Sequence, residues 1–288
     1  MTIPFLKAHG AKNDFLLTAA PDVPPGVPPA DLARAICDRH TGIGADGWLH
    51  VATPVHDADG EIRLFNADGS MAEISGNGTR CAAAFLIHRG AATASHVRIR
   101  TGAGVKHLGL LHRDGLRFTF EMNMGAPEIR ARNFALPLSG GARDVTLVWV
   151  GNPQCALPVE NFDFDWRRLG AEIEQHPHFP DHTNVSFFCV LDEHSLDVRF
   201  YERGAGETMS SGTGSTGAVA AAMARGMVRS PVTVNTPAGP LELRANPTTG
   251  EISLVGPAEI VGEGVFHCER IDVNGVRTRS TTARREDT

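Results

Sequence analysis

Two short turns in this chain could do chemistry together. Ser75-Gly76-Asn77-Gly78 and Ser211-Gly212-Thr213-Gly214 carry serine and glycine at matched places, and the second turn begins 136 residues after the first. Each leads into an alanine-rich run, Thr79 to Ile87 and Ser215 to Arg225, and alanine is the best helix former. A glycine turn opening a helix presents unpaired N–H groups at the positive end of the helix dipole, which suits an anion. The glycines are expected to supply positive backbone angles and close approach. If both helix ends face one cleft, a carboxylate can sit between them, with Ser75 and Ser211 on opposite sides.

Nearby residues fit that ligand. Asn66 and Glu202 each stand nine residues before their turn's serine, so they occupy equivalent places. Glu202 can bind an ammonium group, and Asn66 offers both a donor and an acceptor. Arg203 can hold a carboxylate bidentately. Together they suit a zwitterion. Asn13 in His9-Gly10-Ala11-Lys12-Asn13-Asp14-Phe15 and Asn152 in Gly151-Asn152-Pro153 read, taken alone, as turn formers. Beside neither serine does the sequence display a base that would activate its hydroxyl.

Other chemistries find less support. His176-Pro177-His178 lacks metal-ligand spacing, and no metal is expected. Gly204-Ala205-Gly206 is too short for a dinucleotide fingerprint, and Gly42-Ile43-Gly44-Ala45-Asp46-Gly47 lacks the terminal Lys-Ser/Thr of a phosphate loop. No Ser-His-Asp arrangement can be read from residue order.

The elements that must position the turns repeat as well. At the shift of 136 residues, Arg63-Leu64-Phe65 falls on Arg199-Phe200-Tyr201, and Ala82 and Ala84 fall on Ala218 and Ala220. A looser echo sets His40-Thr41 against His182-Thr183. So long a period implies two domain-sized halves and not a solenoid. Helical patterns appear over Asp31 to Arg39 and Trp166 to Gln175, while Val97 to Arg100 and Leu116 to Glu121 alternate as strands. The expected class is α+β: two pseudo-symmetric α/β domains, each a barrel-like, mainly antiparallel sheet around a central helix. Residues 1–122 should form the first half, joined by a returning segment at 262–276. Residues 123–261 should form the second, with a hinge near Asn123 to Pro127 and a frayed tail at 277–288.

Composition narrows the partners. The chain has 288 residues, 42% apolar and 21% charged, with a net charge of −6. That balance disfavours nucleic acid or an anionic membrane and favours a small molecule. Five cysteines without CxxC spacing suggest neither a zinc site nor a disulfide framework. The N-terminus carries no signal-peptide pattern, and no apolar run reaches the roughly 20 residues of a membrane span. Reduced thiols and a cytoplasmic location are the expectation.

At these residues the sequence resembles the diaminopimelate epimerase family. The resemblance runs through Lys7-Ala8-His9-Gly10, Asp38-Arg39-His40, Phe65-Asn66-Ala67-Asp68-Gly69-Ser70 and Gly76-Asn77-Gly78-Thr79-Arg80-Cys81. It continues through Thr183-Asn184-Val185, Tyr201-Glu202-Arg203-Gly204-Ala205-Gly206-Glu207-Thr208 and Gly212-Thr213-Gly214. It implies a cofactor-independent epimerase that interconverts LL- and meso-diaminopimelate for lysine and peptidoglycan synthesis. It implies two-base proton transfer at the α-carbon, and a homodimer is compatible with it. It also implies substrate contacts at Asn13, Asn66, Gly76, Asn77, Asn152, Asn184, Glu202, Arg203, Gly212 and Thr213.

The chain departs from the family at the residues leading the turns. The family places its acid/base cysteines there; this chain has Ser75 and Ser211, and a hydroxyl is far less acidic than a thiol at a helix N-terminus. Two alternatives follow: a substrate-binding homologue with impaired turnover, or an isomerase of the same fold using a carboxylate base such as Glu73 or Glu207.

Overall fold

The computed structural model describes residues 1–93 and 95–268. The expected tail, and the returning segment beyond residue 268, lie outside them.

The first turn opens helix α2 (Gly76–His88) and the second opens α4 (Gly212–Ala224). Both helices start at the first glycine of the turn, earlier than their alanine runs suggest. These glycines therefore lie inside the first helical turn, and none of Gly76, Gly78, Gly212 and Gly214 has positive φ. The expectation that they supply positive backbone angles is corrected; what they supply is clearance. A Cβ on Gly76 would lie 3.1 Å from the Gly212 backbone, and one on Gly214 would lie 2.8 Å from the Phe200 ring.

Positive φ appears instead where the helices stop. Gly90 and Gly226, at φ of 70° and 71°, follow the two C-caps. Each donates back to the helix, Gly90 to the Ile87 carbonyl and Gly226 to the Met223 carbonyl. The next residues, Ala91 and Met227, reach the carbonyls of Leu86 and Ala222, completing a Schellman closure in both copies.

Around α2 a sheet closes on itself. Strands β1 (Thr2–Gly10), β2 (Asn13–Ala19), β3 (Gly47–Ala52) and β4 (Gly60–Asn66) pair in order. After β5 (Met71–Ala72), a short partner of β4, the ring continues from β4 through β6 (His96–Thr101), β7 (Gly104–Asp114) and β8 (Arg117–Asn123). The long strand β17 (Ile252–His267) bridges β8 and β1 and closes it.

From its second strand onward the second half repeats this order, its first strand pairing with the second as β17 pairs with β1. Strands β9 (Glu128–Leu136), β10 (Arg143–Trp149), β11 (Pro153–Pro158), β12 (Asn184–Asp192) and β13 (Ser195–Glu202) are followed by the short β14 (Gly206–Thr208). Then β15 (Val232–Thr236) and β16 (Gly239–Ala245) reach the start of β17. Pairing is mainly antiparallel. The parallel pairs, β2–β3 and β4–β6, recur as β11–β12 and β13–β15. Two further helices, α1 (Pro29–Cys37) and α3 (Trp166–Glu174), lie outside the sheets and cover satellite cores around Trp48 and Phe187.

Small residues let the sheets wrap the central helices closely. Every residue of α2 from Gly76 to Ile87, and of α4 from Gly212 to Ala222, is buried. Where a helix side chain is larger, the sheet gives way: a Cβ on Gly60 would lie 2.8 Å from Leu86 Cδ1. Truncating a buried leucine such as Leu86 removes about 2–5 kcal/mol of stability.

Candidate active site

The two central helices meet at their N-termini. A Cβ added to Gly212 would lie 3.0 Å from Gly76 Cα, so the first turns are in backbone contact. Ser75 and Ser211 are the N-caps, with nearly equal backbone angles (φ −129°, ψ 122° and φ −135°, ψ 124°). Each Oγ accepts from an N–H in its own first turn, Gly78 at 3.1 Å and Gly214 at 3.0 Å. The aligned peptide dipoles of both helices thus converge on one point.

That point lies on the wall of a cleft of about 1100 Å³ between the halves. All twelve residues singled out by sequence line this cleft, from Asn13 on the β1–β2 hairpin to Thr213 in the first turn of α4. The hairpin that presents Asn13 turns through Ala11 and Lys12, both at positive φ (49° and 60°), where a side chain is strained.

The two serines differ in what stands behind them. Ser211 is buried, and its Oγ donates to Glu202 Oε1 at 2.6 Å, while Thr208 Oγ1 donates to Oε2 at 2.7 Å. Burial raises the Glu202 carboxyl above the ordinary carboxylate range, more than those two hydrogen bonds lower it. A carboxylate therefore stands beside Ser211, where the sequence displayed none. The partner is the residue nine places upstream, carried back to the turn by the β13–β14 hairpin. Ser75 has Asn66 at the equivalent place, and the Asn66 amide donates instead to Ser70 Oγ at 3.0 Å. Among the described residues no carboxylate hydrogen-bonds Ser75.

Glu73 and Glu207 are engaged elsewhere. Glu207 pairs with Arg167 through both carboxylate oxygens, and Glu73 pairs with Arg203 across the cleft mouth. Arg203 is further fixed by its backbone N–H to Asn184 Oδ1 at 3.0 Å and by a bond to the Asp181 carbonyl. Asn184 donates to the Pro153 carbonyl, and Asn152 accepts from Gln154 at 2.7 Å. Asn13 donates to Asp46 at 2.7 Å. Sequence reading gave no role to Thr208, Gln154 or Asp46; none sits at a repeated position that would have suggested one.

The cysteines do not stand in for the serines. Cys81 and Cys155 are fully buried and do not line the cleft, and burial pushes the Cys81 thiol up to about 12. Among the described residues there is no cluster of three or more His, Cys, Asp or Glu side chains fit to hold a metal. Nor is any helix long and apolar enough to cross a membrane.

A sequence model of the family described as Diaminopimelate epimerase matches residues 5–129 and 146–261. The chain belongs to the diaminopimelate epimerase family. The diaminopimelate epimerase of Pelotomaculum thermopropionicum is 38% identical over 281 residues, covering 91% of this chain and 98% of its own. That of Azoarcus sp. (strain BH72) is 39% identical over 278 residues, covering 92% and 98%. The family's fold extends further. A probable proline racemase from Agrobacterium radiobacter K84 superposes with a TM-score of 0.73 over 91% of this chain and 92% of that one. At 17% identity, that likeness concerns the fold alone.

Proposed function

We propose that this chain is a diaminopimelate epimerase, an isomerase moving a proton between the two faces of the substrate's α-carbon without a cofactor. The observation that carries the reading is the pair of N-capping serines at abutting helix ends, one of them hydrogen-bonded to a buried glutamate. The first N–H groups of α2 and α4 would receive the α-carboxylate. Their dipoles would stabilise the extra negative charge that reaches that carboxylate when the α-carbon loses its proton.

On the Ser211 face, Glu202 supplies the base. As the Ser211 oxygen takes the α-proton, its own hydroxyl proton passes to Glu202; reprotonation of that face runs in reverse. A carboxylate has about four lone-pair sites, so its two hydroxyl bonds leave capacity for a substrate ammonium. Arg203, Asn184 and Asn152 line the same cleft and suit the second amino-acid end of a diamino dicarboxylate. On the opposite face Ser75 gives its hydroxyl proton to the α-carbon; with no carboxylate behind it, its oxygen regains a proton from solvent in the cleft, and Glu202 releases its own to solvent. Proton transfer is therefore faster on the Ser211 face.

Incubation with LL-diaminopimelate in D2O, read by NMR at the α-position, tests this. Deuterium incorporation with formation of the meso isomer is expected. Binding in calorimetry without any incorporation at high protein concentration would replace epimerisation by substrate binding alone. The Ser75→Cys protein should be the faster enzyme, because a thiol at a helix N-terminus ionises near working pH.

A further inference from the structure

Arg80 sits on α2 just behind the first turn and is completely buried, at 0% exposure. Among the described residues it forms no ion pair. Its Nε donates to the Pro257 carbonyl at 3.0 Å, Nη2 donates to Asn77 Oδ1, and Nη1 has no hydrogen-bond partner. A lone buried guanidinium is costly, and a cation near a helix N-terminus opposes the dipole. A core-filling role would be met more cheaply by an apolar side chain. Yet the fold makes room for this one: a Cβ on Gly256 would lie 2.9 Å from Arg80 Cζ.

The bond to Asn77 shows what the charge does. A primary amide can face a neighbour with either its oxygen or its nitrogen, but a guanidinium only donates. Arg80 therefore forces the Asn77 oxygen toward itself and the nitrogen away. That nitrogen donates to Asn13 Oδ1 at 3.1 Å and to the Ser210 carbonyl at 3.1 Å, in the opposite half. Asn13, with its oxygen so occupied, turns its nitrogen to Asp46 Oδ2 at 2.7 Å. A carboxylate only accepts, so the far end is fixed too. The cation and the anion are linked through two amides, every bond running in one direction.

We propose that Arg80 is a positioning residue. Through Asn77, with Asp46 as the terminal anion, it sets the donor–acceptor polarity of the Asn77–Asn13 pair that lines the cleft. It also ties that pair to the residue before Ser211. The consequence for ligand rests on the cleft being the substrate site; the polarity itself does not.

Side-chain amide NMR on 15N-labelled protein reads the polarity without ligand. Asn77 and Asn13 signals are assigned by their loss in N77S and N13S. In R80Q, whose new amide can donate or accept, both signals should shift and exchange faster with solvent. R80K, still donor-only, should restore them. D46N approaches the chain from its half-exposed end and leaves the core untouched. It should move the Asn77 signal as well as that of Asn13.

With diaminopimelate, R80Q should bind about 10- to 100-fold more weakly, the range for losing a bond to a charged group. R80Q/N77S should be no weaker than N77S alone. Unchanged Asn77 signals in R80Q, an Asn13-only response in D46N, or fully additive losses in the double variant would each overturn the assignment. If R80Q does not fold, the D46N response decides. Absence of binding to the wild-type protein would count against the substrate assignment and leave the amide result standing.

Discussion

Two hydroxyls with the same backbone geometry are set apart by one side chain each. Ser211 donates a hydrogen bond to Glu202, whereas Ser75 faces the Asn66 position, whose amide is turned to Ser70. A general base of this kind contributes about 10²- to 10⁴-fold. The Glu202→Gln protein should lose activity in that range, with the loss in kcat, in a steady-state epimerase assay. In the proposed mechanism only ionised Glu202 accepts the proton, and burial raises its carboxyl above the usual range. Activity should therefore fall on the acid side at a higher pH than an ordinary glutamate would give, and this limb should vanish in E202Q. For stability the sign is opposite. A carboxyl raised in the folded state favours its neutral form, so its contribution is present at low pH and is lost as pH rises through the raised value.

Sequence pattern placed the helices, because a 136-residue repeat of glycine and alanine is a local signal, and both copies end on equivalent glycines, Gly90 and Gly226. The repeat also singled out Ser75, Ser211, Asn66 and Glu202, whereas Asn13, Asn152 and Asn184 entered only through the family resemblance; all of these line the cleft. What the glycines do was not legible, because clearance depends on the other half of the chain. The Gly76–Gly212 contact joins residues 136 apart, and no local pattern encodes it. The Asn77 bond to Ser210, with a separation of 133, escapes for the same reason. Gly212→Ala tests the clearance at the level of the helix. The new methyl meets backbone, which cannot rotate away, so the helix ends must separate. Overpacking of this kind costs about 1–3 kcal/mol. Thermal unfolding should show that loss, and substrate affinity should fall with it, because the proposed carboxylate site draws on both helix ends.

At the scale of the molecule, the halves are linked across the cleft mouth by Glu73 and Arg203. Their side chains are 45% and 24% exposed, and a pair so open contributes about 0–1 kcal/mol. In the proposed binding mode Glu73 there holds the cation that the substrate's carboxylate would claim. Glu73→Gln should consequently lower KM for diaminopimelate by up to about fivefold, the factor that corresponds to 1 kcal/mol, with kcat little changed. A raised KM would mean that the pair holds the halves in the binding geometry and does not compete for Arg203.

Among the described strands, the one that completes the first half is made last. β17 pairs with β16, β8 and β1, and Thr2 lies opposite His267. As the chain leaves the ribosome, the free side of β1 must wait for nearly the whole polypeptide before its partner exists. During that interval β1 and β8 are open sheet edges, the kind that pair with a neighbouring chain. The geometry that joins two halves into one enzyme also makes the first half the last to be sealed.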